Sequence, residues 1–280
     1  MFTFRFSLIL LFLFQIGKAG AQSPSNRLDV VQIEKYLQKS YREYMEAINT
    51  DDRETEEKFL KNMLTPEMQE KRARLACATD SDPMIRAQDV TEYSIQSVRC
   101  KHLSGCWYEV SYRPYPKDST TYIPLRITAD SLGKVRISYV TPDWGNRNYG
   151  DYWFDIPEEK VMDDQDGKTF VETFYKSYAY TYIKMRPDLE QGLKHLRETY
   201  CTPIMQEKYV RSRKEVEQED PMFDPVIGND DFDVFWYNSL QVHPSETKGC
   251  FTVSYGCTKI RVALQCQDGK YKIADVELIP

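Results

Sequence analysis

Hydrophobic residues recur every three to four positions in two separate stretches of the chain. The first stripe consists of Ile33, Leu37, Tyr41, Tyr44 and Ile48, and the second of Phe170, Phe174, Tyr178 and Tyr182. This spacing places the side chains on one face of a helix, so each stripe predicts an amphipathic helix. Further helices are predicted near Glu54–Met63 and Leu189–Tyr200, and over Met68–Leu75 and Met205–Val216.

The last two of these helices each follow a Thr-Pro pair, Thr65-Pro66 and Thr202-Pro203. A threonine hydroxyl can cap the first turn of a helix, and proline fits the first helical position because no donor is needed there. Both pairs therefore predict helix starts. The Asp-Pro pairs that come later predict where these helices end.

After the helices, the hydrophobic period changes from about four to two. Alternation over five to nine residues, with glycine-containing turns between the runs, predicts antiparallel strands with one buried face. The predicted strands are Tyr93–Val98, Tyr108–Tyr112, Tyr122–Ile127, Val135–Tyr139, Phe232–Leu240, Phe251–Tyr255, Ile260–Cys266 and Tyr271–Leu278. Helices followed by four strands, twice over, predict an α+β fold.

The same sequence blocks occur twice and in the same order. Thr65–Lys71 recurs as Thr202–Lys208, and Lys39–Tyr41 as Lys176–Tyr178, both at a shift of 137 residues. We therefore predict two homologous domains, 28–140 and 168–280, joined by an aromatic and acidic linker, 141–167. Its many aromatic residues predict that the linker packs across both domains, with only Glu158–Gly167 loose.

Composition narrows the class of protein. The 280 residues are 41% hydrophobic and 29% charged, which excludes a disordered chain and a polytopic membrane protein. The formal charge of −6 gives no indication of nucleic-acid binding, which normally requires a basic face.

The first 21 residues have the pattern of a secretory signal peptide. Arg5 precedes the apolar run Leu8–Phe14, and Ala19-Gly20-Ala21 supplies the small residues of a cleavage site. Cleavage after Ala21 would leave a mature chain with a formal charge of about −8 and no predicted membrane span. An uncleaved anchor is the alternative. We expect a periplasmic or secreted protein.

Seven cysteines follow the predicted leader, and none of them forms a Cys-x-x-Cys motif. Export permits disulfides, and an odd number leaves at least one thiol unpaired within the chain. Cys100 with Cys106 and Cys250 with Cys266 are candidate pairs across hairpins. The alternative is that several cysteines are small buried hydrophobic residues.

An aromatic first helix, a helix begun by Thr-Pro, and Asp-Pro followed by an acidic turn resemble a bacterial envelope family of unknown function. That family (domain of unknown function 3828) lies within the nuclear transport factor 2-like superfamily. Asp82-Pro83 leading to Gln88-Asp89 matches its pattern best, and Asp220-Pro221 leading to Asn229-Asp230 is a looser match. The resemblance implies two tandem cone-shaped domains, each with helices packed on a curved antiparallel sheet. It implies no reaction.

Two motifs in the linker lack the residues that their chemistry requires. Gly167-Lys168-Thr169 resembles the end of a phosphate loop, but Met162 stands where that loop needs glycine. The acidic run before Gly167 lacks the ligand spacing of a calcium loop. The three histidines have no metal-ligand spacing, and we predict no metal or cofactor. His102 and His243 are predicted to lie in turns.

The repeated acids Asp82 and Asp220 have two interpretations. They are either pocket bases or turn residues whose carboxylates accept backbone N–H bonds, and the turn role is favoured because turn chemistry alone explains the pair. Tyr112, Trp236 and Tyr255 on strands, with Tyr178 on a helix, are candidates to line the mouth of each cone. Otherwise they are core residues or mark a partner surface.

The sequence therefore predicts an exported, non-enzymatic protein that binds a small molecule or an envelope protein. One alternative is a hydrolase or isomerase that uses an Asp or Tyr as acid or base in the pocket of one domain. The other is a structural duplicate whose two sheets pack against each other and leave no pocket, with Tyr and Phe side chains filling both concave faces.

Overall fold

The computed structural model describes residues 29–130, 133–164 and 166–279. The predicted signal peptide lies outside the described residues. The chain folds as α+β with two four-stranded antiparallel sheets, whose strand orders are β1-β2-β3-β4 and β5-β6-β7-β8. The predicted fold class is confirmed.

The two halves have the same order of elements. The N-terminal half contains α1 (Val30–Thr50), α2 (Arg53–Met63), α3 (Pro66–Thr79), α4 (Glu92–Ser97), β1 (Arg99–Ser104), β2 (Trp107–Tyr112), β3 (Thr121–Ala129) and β4 (Val135–Val140). The C-terminal half contains α5 (Gly167–Ile183), α6 (Leu189–Tyr200), α7 (Pro203–Val216), α8 (Val234–Tyr237), β5 (Gln241–Pro244), β6 (Cys250–Tyr255), β7 (Thr258–Gln267) and β8 (Lys270–Ile279). The connecting segment between the halves carries two 3₁₀ turns, Asp143–Gly145 and Asp151–Phe154.

Side-chain caps begin the helices where the sequence indicates. The Thr65 hydroxyl accepts the Met68 N–H at 3.2 Å, and Thr202 accepts the Met205 N–H at the same distance. Proline follows each threonine at the first helical position. Both predicted Thr-Pro helix starts are confirmed.

Two predicted strands are wrong in the same way. Tyr93–Val98 is largely the short helix α4, and Phe232–Leu240 contains the short helix α8. Thr91 caps α4 by accepting the Ser94 N–H at 3.1 Å, and Asp233 caps α8 through the Phe235 N–H. These caps satisfy the first free N–H groups, which stabilises a helical turn in a run that also alternates. The first strand of each sheet therefore starts later, in β1 and β5.

Each half has its own aromatic hydrophobic core. Tyr41 and Tyr44 are fully buried in the first, and Phe170, Phe174 and Tyr178 in the second. The ring centroids of Tyr44 and Phe59 lie 4.2 Å apart in a stacked arrangement. Side chains of α1 and α5 thus pack against strand residues in the core of each half.

The connecting segment packs against both halves, as predicted. Trp144 stacks on Trp236 of the C-terminal half at 4.4 Å between centroids, and Phe154 meets Tyr139 of β4 edge to face at 4.9 Å. The stretch Glu158–Gly167, which was predicted to be loose, is also packed against the C-terminal half. Val161 is buried, and the Asp163 carbonyl oxygen accepts the Tyr271 N–H at 3.0 Å.

Candidate functional site

A buried ionic network joins the two halves. Lys71 of α3 places its Nζ 2.5 Å from Asp231 Oδ2 and 3.0 Å from Asp233 Oδ2, and Arg74 Nε lies 3.0 Å from Asp231 Oδ1. Tyr139 of β4 donates its hydroxyl to Asp233 at 2.9 Å. Lys71, Asp231 and Asp233 are each at most 1% exposed. The positive groups come from the N-terminal half and the carboxylates from the segment before α8.

The network balances two cations against two carboxylates. Burial raises the pKa of Asp233, and the neighbouring Lys71 ammonium opposes that rise. Burial and the Asp233 carboxylate raise the pKa of Tyr139 well above its ordinary value, so its hydroxyl stays a donor. Buried charges remain in a protein interior only when they are paired and hydrogen-bonded, as these are.

Each half contains an Asp-Pro turn of the same construction. In the N-terminal half, Asp82 Oδ1 accepts the Met84 N–H at 2.7 Å, and its backbone pairs with Ala87. Asp82 Oδ2 accepts bonds from the Tyr44 hydroxyl and from Arg72 Nη2, the latter at 2.7 Å. The turn role favoured for Asp82 is confirmed, with two side-chain partners in addition.

The structural equivalent of Asp82 is Asp224, not Asp220. Asp224 Oδ1 accepts the Val226 N–H at 2.8 Å, and its backbone pairs with Asn229. Its Oδ2 accepts the hydroxyls of Tyr178 at 2.8 Å and Tyr182 at 2.9 Å. This corrects the sequence alignment of the halves: Asp224-Pro225 leads to Asp230-Asp231 with the spacing of Asp82-Pro83 to Gln88-Asp89.

Three of the four candidate aromatic residues, Tyr112, Tyr178 and Tyr255, are buried, and Trp236 is partly buried against the core of the C-terminal half. Tyr112 donates its hydroxyl to the Ile85 carbonyl oxygen at 2.6 Å, and Tyr255 donates to the equivalent Ile227 carbonyl. Tyr178 lies between Asp224 and Arg197, and Trp236 lies under Trp144. All three tyrosine hydroxyls are therefore engaged inside the protein and hold the Asp-Pro turns in place.

Asp220 lies apart from these tyrosines, at the start of the loop that leads to Asp224. Its Oδ1 accepts the Phe223 N–H at 3.1 Å, as the turn interpretation predicts. Its carboxyl group also contacts that of Asp230.

All seven cysteines are free thiols, so neither candidate disulfide forms in this structure. The sheet register places Cys250 opposite Ala263 and Cys266 opposite Tyr271, which separates these two sulfurs along the hairpin. Cys100 lies opposite Val110 inside the ladder, whereas Cys106 lies beyond the end of β1.

The histidines that were predicted to lie in turns are strand residues. His102 is in β1 opposite Tyr108, and its Nε2 lies 3.0 Å from the Gly105 carbonyl oxygen. His243 is in β5, with Nε2 3.2 Å from Gln241 Oε1. His195 lies on α6 and lines a cavity of about 400 Å³ that is bounded by α5, α6 and the connecting segment.

A larger cavity of about 720 Å³ lies where the two halves meet, and we call it the junction cleft. Its walls come from the start of α3, the outer face of β3 and β4, the connecting segment and the turn Ile183–Pro187, and they include Arg126, Thr128, Tyr139, Phe154 and Arg186. This volume is within the ordinary range of small-molecule sites, which often occur between domains.

The turn that follows α5 borders both cavities through Lys184 and Arg186. Met185 lies between them and has a φ of 47°. This is a left-handed backbone conformation that residues other than glycine seldom adopt. Its side chain packs against the core of the N-terminal half. This contact fixes the turn, so it presents Lys184 and Arg186 at the boundary between the halves.

Charged groups of both signs line the junction cleft. Arg126 Nε binds Asp151 Oδ1 at 2.7 Å; burial alone would raise the pKa of Asp151, but bonds from Arg126 and Trp107 lower it overall. Within the described ranges, the side chains of Glu67, Asp155 and Arg186 have no hydrogen-bond or ion-pair partner. They are therefore available to a ligand that carries both charges.

The described residues contain no group of three or more His, Cys, Asp or Glu side chains placed to hold a metal ion. In the same part of the chain, no helix combines the length and the apolar character needed to cross a bilayer.

Comparison with known proteins leaves the function open. No family model matches the chain, and no curated protein matches it. Among solved structures, the chain is similar to a protein of unknown function from Bacteroides thetaiotaomicron VPI-5482. The likeness covers 40% of this chain and 93% of that chain, at 30% identity and a TM-score of 0.36. Membership in the nuclear transport factor 2-like envelope family stays a prediction.

Sequence reasoning predicted that the connecting segment packs on both halves, but it missed the buried ionic network and the cleft. A signal for part of the network exists, because Asp224-Pro225 is a further Asp-Pro pair, and Ile227 follows it as Ile85 follows Asp82-Pro83. That match would have aligned the acids before α8 with those before α4. No comparable signal pairs Lys71 with Asp231, since the two residues are 160 positions apart.

Proposed function

We propose that this chain is an exported, non-enzymatic binding protein whose ligand occupies the junction cleft. The observation that supports this proposal is that aromatic side chains fill both cores, while a cavity of suitable volume lies between the halves. The candidate tyrosines and Asp82 make internal hydrogen bonds, which favours a structural role for them over acid–base chemistry.

The walls of the cleft favour a small zwitterionic ligand, such as an amino acid or a short peptide. Arg186 would bind a carboxylate through charge-assisted hydrogen bonds, and Glu67 or Asp155 would bind an ammonium group. The partly exposed Phe154 offers apolar surface between them. The expected export of the chain through residues 1–21 belongs to the same proposal, because it would bring the cleft into contact with solutes outside the cytoplasm.

Ligand binding is expected to raise the melting temperature of the protein. At about 100 times the Kd, a ligand that binds only the folded state stabilises it by about 2.7 kcal/mol. At roughly 2–4 °C per kcal/mol, the increase is about 5–10 °C. The measurement is a thermal-shift series with free amino acids and dipeptides.

Two tryptophan variants distinguish binding in the cleft from binding elsewhere on the surface. Thr128→Trp, on the exposed outer face of β3, fills the cleft and should abolish the shift. Gln265→Trp, at the equivalent exposed position of β7, should retain it. Equal shifts in both variants would place binding elsewhere, and no shift with any probe would refute the proposed ligand class.

A further inference from the structure

The residue six positions after the aspartate of each Asp-Pro turn differs between the two halves. In the N-terminal half, Gln88 Nε2 donates to the Asp80 carboxylate at 3.2 Å and to the Asp80 carbonyl oxygen at 3.0 Å. Gln88 stands six residues after Asp82, and Asp230 stands six residues after Asp224. In the C-terminal half, the Asp230 carboxyl group meets that of Asp220. A carboxyl group thus replaces the amide donor.

The replacement brings two acids into contact, and within the described residues neither of them forms a salt bridge. Asp230 is only 7% exposed, and its Oδ1 is buried with no hydrogen-bond donor within the described part of the chain. Two carboxyl groups in contact do not both ionise readily, because like charges repel and burial penalises each charge. One proton held between them removes the repulsion and leaves a single negative charge to be buried.

The charged groups around the pair come from three elements: Asp231 on the same segment, the Cys77 thiol on α3 of the other half, and Arg213 on α7. Arg213 donates to the carbonyl oxygens of Pro221 and Phe223 rather than to either carboxyl group. Asp231 is already bound to Lys71 and Arg74. Burial, followed by the hydrogen bond and charge of Asp220, raises the pKa of Asp230 to about 7.

We propose that Asp220 and Asp230 share one proton and act as a pH-sensitive latch that holds the segment between α7 and α8 against the end of α3. The segment faces α3 at two points, since Cys77 lies near the acid pair and Asp231 binds Lys71. Neither acid lines the junction cleft, so the latch does not depend on a ligand there.

The direction of the pH effect follows from linkage. The closed latch retains its proton up to about pH 7, whereas an exposed aspartate loses its proton near pH 4. The latch is therefore most stable at low pH, and opening becomes more favourable as the pH rises toward 7, by up to tenfold per unit. Above about pH 7 both states are ionised, and the dependence levels off.

Hydrogen exchange of the full chain measures the opening. The Phe223 amide, bonded to Asp220 Oδ1, and the Gly228 amide, bonded to the Asp224 carbonyl oxygen, report on the segment. After correction for intrinsic exchange rates, their protection should fall by up to about 100-fold between pH 5 and pH 7. Asp230→Gln, which copies Gln88, should keep high protection over the whole range.

Asp80→Asn is the matched control, because Gln88 already supplies a donor there and the variant should leave the pH profile of the segment unchanged. Protection that does not change with pH in the unmodified chain would overturn the latch. A pH dependence that persists in Asp230→Gln would do the same. Restoration of protection at pH 8 by added calcium would also overturn it, because the pair would then be a cation site.

Discussion

Replacement of Lys71 by methionine is expected to lower the free energy of unfolding by about 3–5 kcal/mol. Lys71 is 1% exposed and binds both Asp231 and Asp233, so its removal leaves two buried carboxylates with one guanidinium. Methionine preserves most of the side-chain volume, which confines the loss to the charge. Urea unfolding at neutral pH measures the effect.

The repeat provides a matched control for this variant. Lys208 is the equivalent of Lys71 in the duplicated Thr-Pro block, and its Nζ lies 2.5 Å from Asp275 Oδ1. The two side chains are 33% and 44% exposed, so Lys208→Met should cost less than about 1 kcal/mol. Equal losses in the two variants would show that the buried network does not hold the halves together.

Asp224→Asn is expected to cost about 3 kcal/mol, the second largest effect. Asp224 is 2% exposed, accepts two tyrosine hydroxyls and a backbone N–H, and provides the negative charge 3.9 Å from Arg197. The amide keeps the shape of the side chain but leaves the buried guanidinium without its counter-charge.

Asp82→Asn tests the same turn in the other half, where the loss should be about 1–2 kcal/mol. The Asp82 and Arg72 side chains are 14% and 20% exposed, so water stabilises both charges once they are separated. Chemical denaturation of the two variants under one set of conditions gives the comparison. A smaller loss for Asp224→Asn than for Asp82→Asn would contradict the assignment of Asp224 as the buried equivalent.

Most of the fold could be predicted from hydrophobic periodicity and capping residues. The stripe from Ile33 to Ile48 corresponds to α1, and the alternating run Tyr122–Ile127 to β3. The failure at Tyr93–Val98 has a physical reason, because a run of six residues fits both periods and the cap at Thr91 decides between them. The Thr91-x-x-Ser94 spacing was the available signal.

The candidate site could be predicted only in part. Tyr178 and Asp82 were found as repeated, chemically capable residues, but a single sequence does not show whether a tyrosine lines a cavity or fills a core. The junction depends on pairs such as Lys71 with Asp231 and Met185 with the opposite core, which no local pattern connects. Tertiary packing, rather than periodicity, produces the cleft.

Native mass spectrometry of the full chain, purified from its source organism without denaturation, tests the central claim most directly. We predict a bound small molecule with both an acidic and a basic group, present in the unmodified protein and in Gln265→Trp but absent from Thr128→Trp. Retention of the same bound mass in Thr128→Trp, or bare protein in all three samples even after amino acids and dipeptides are added, would contradict a ligand site in the junction cleft.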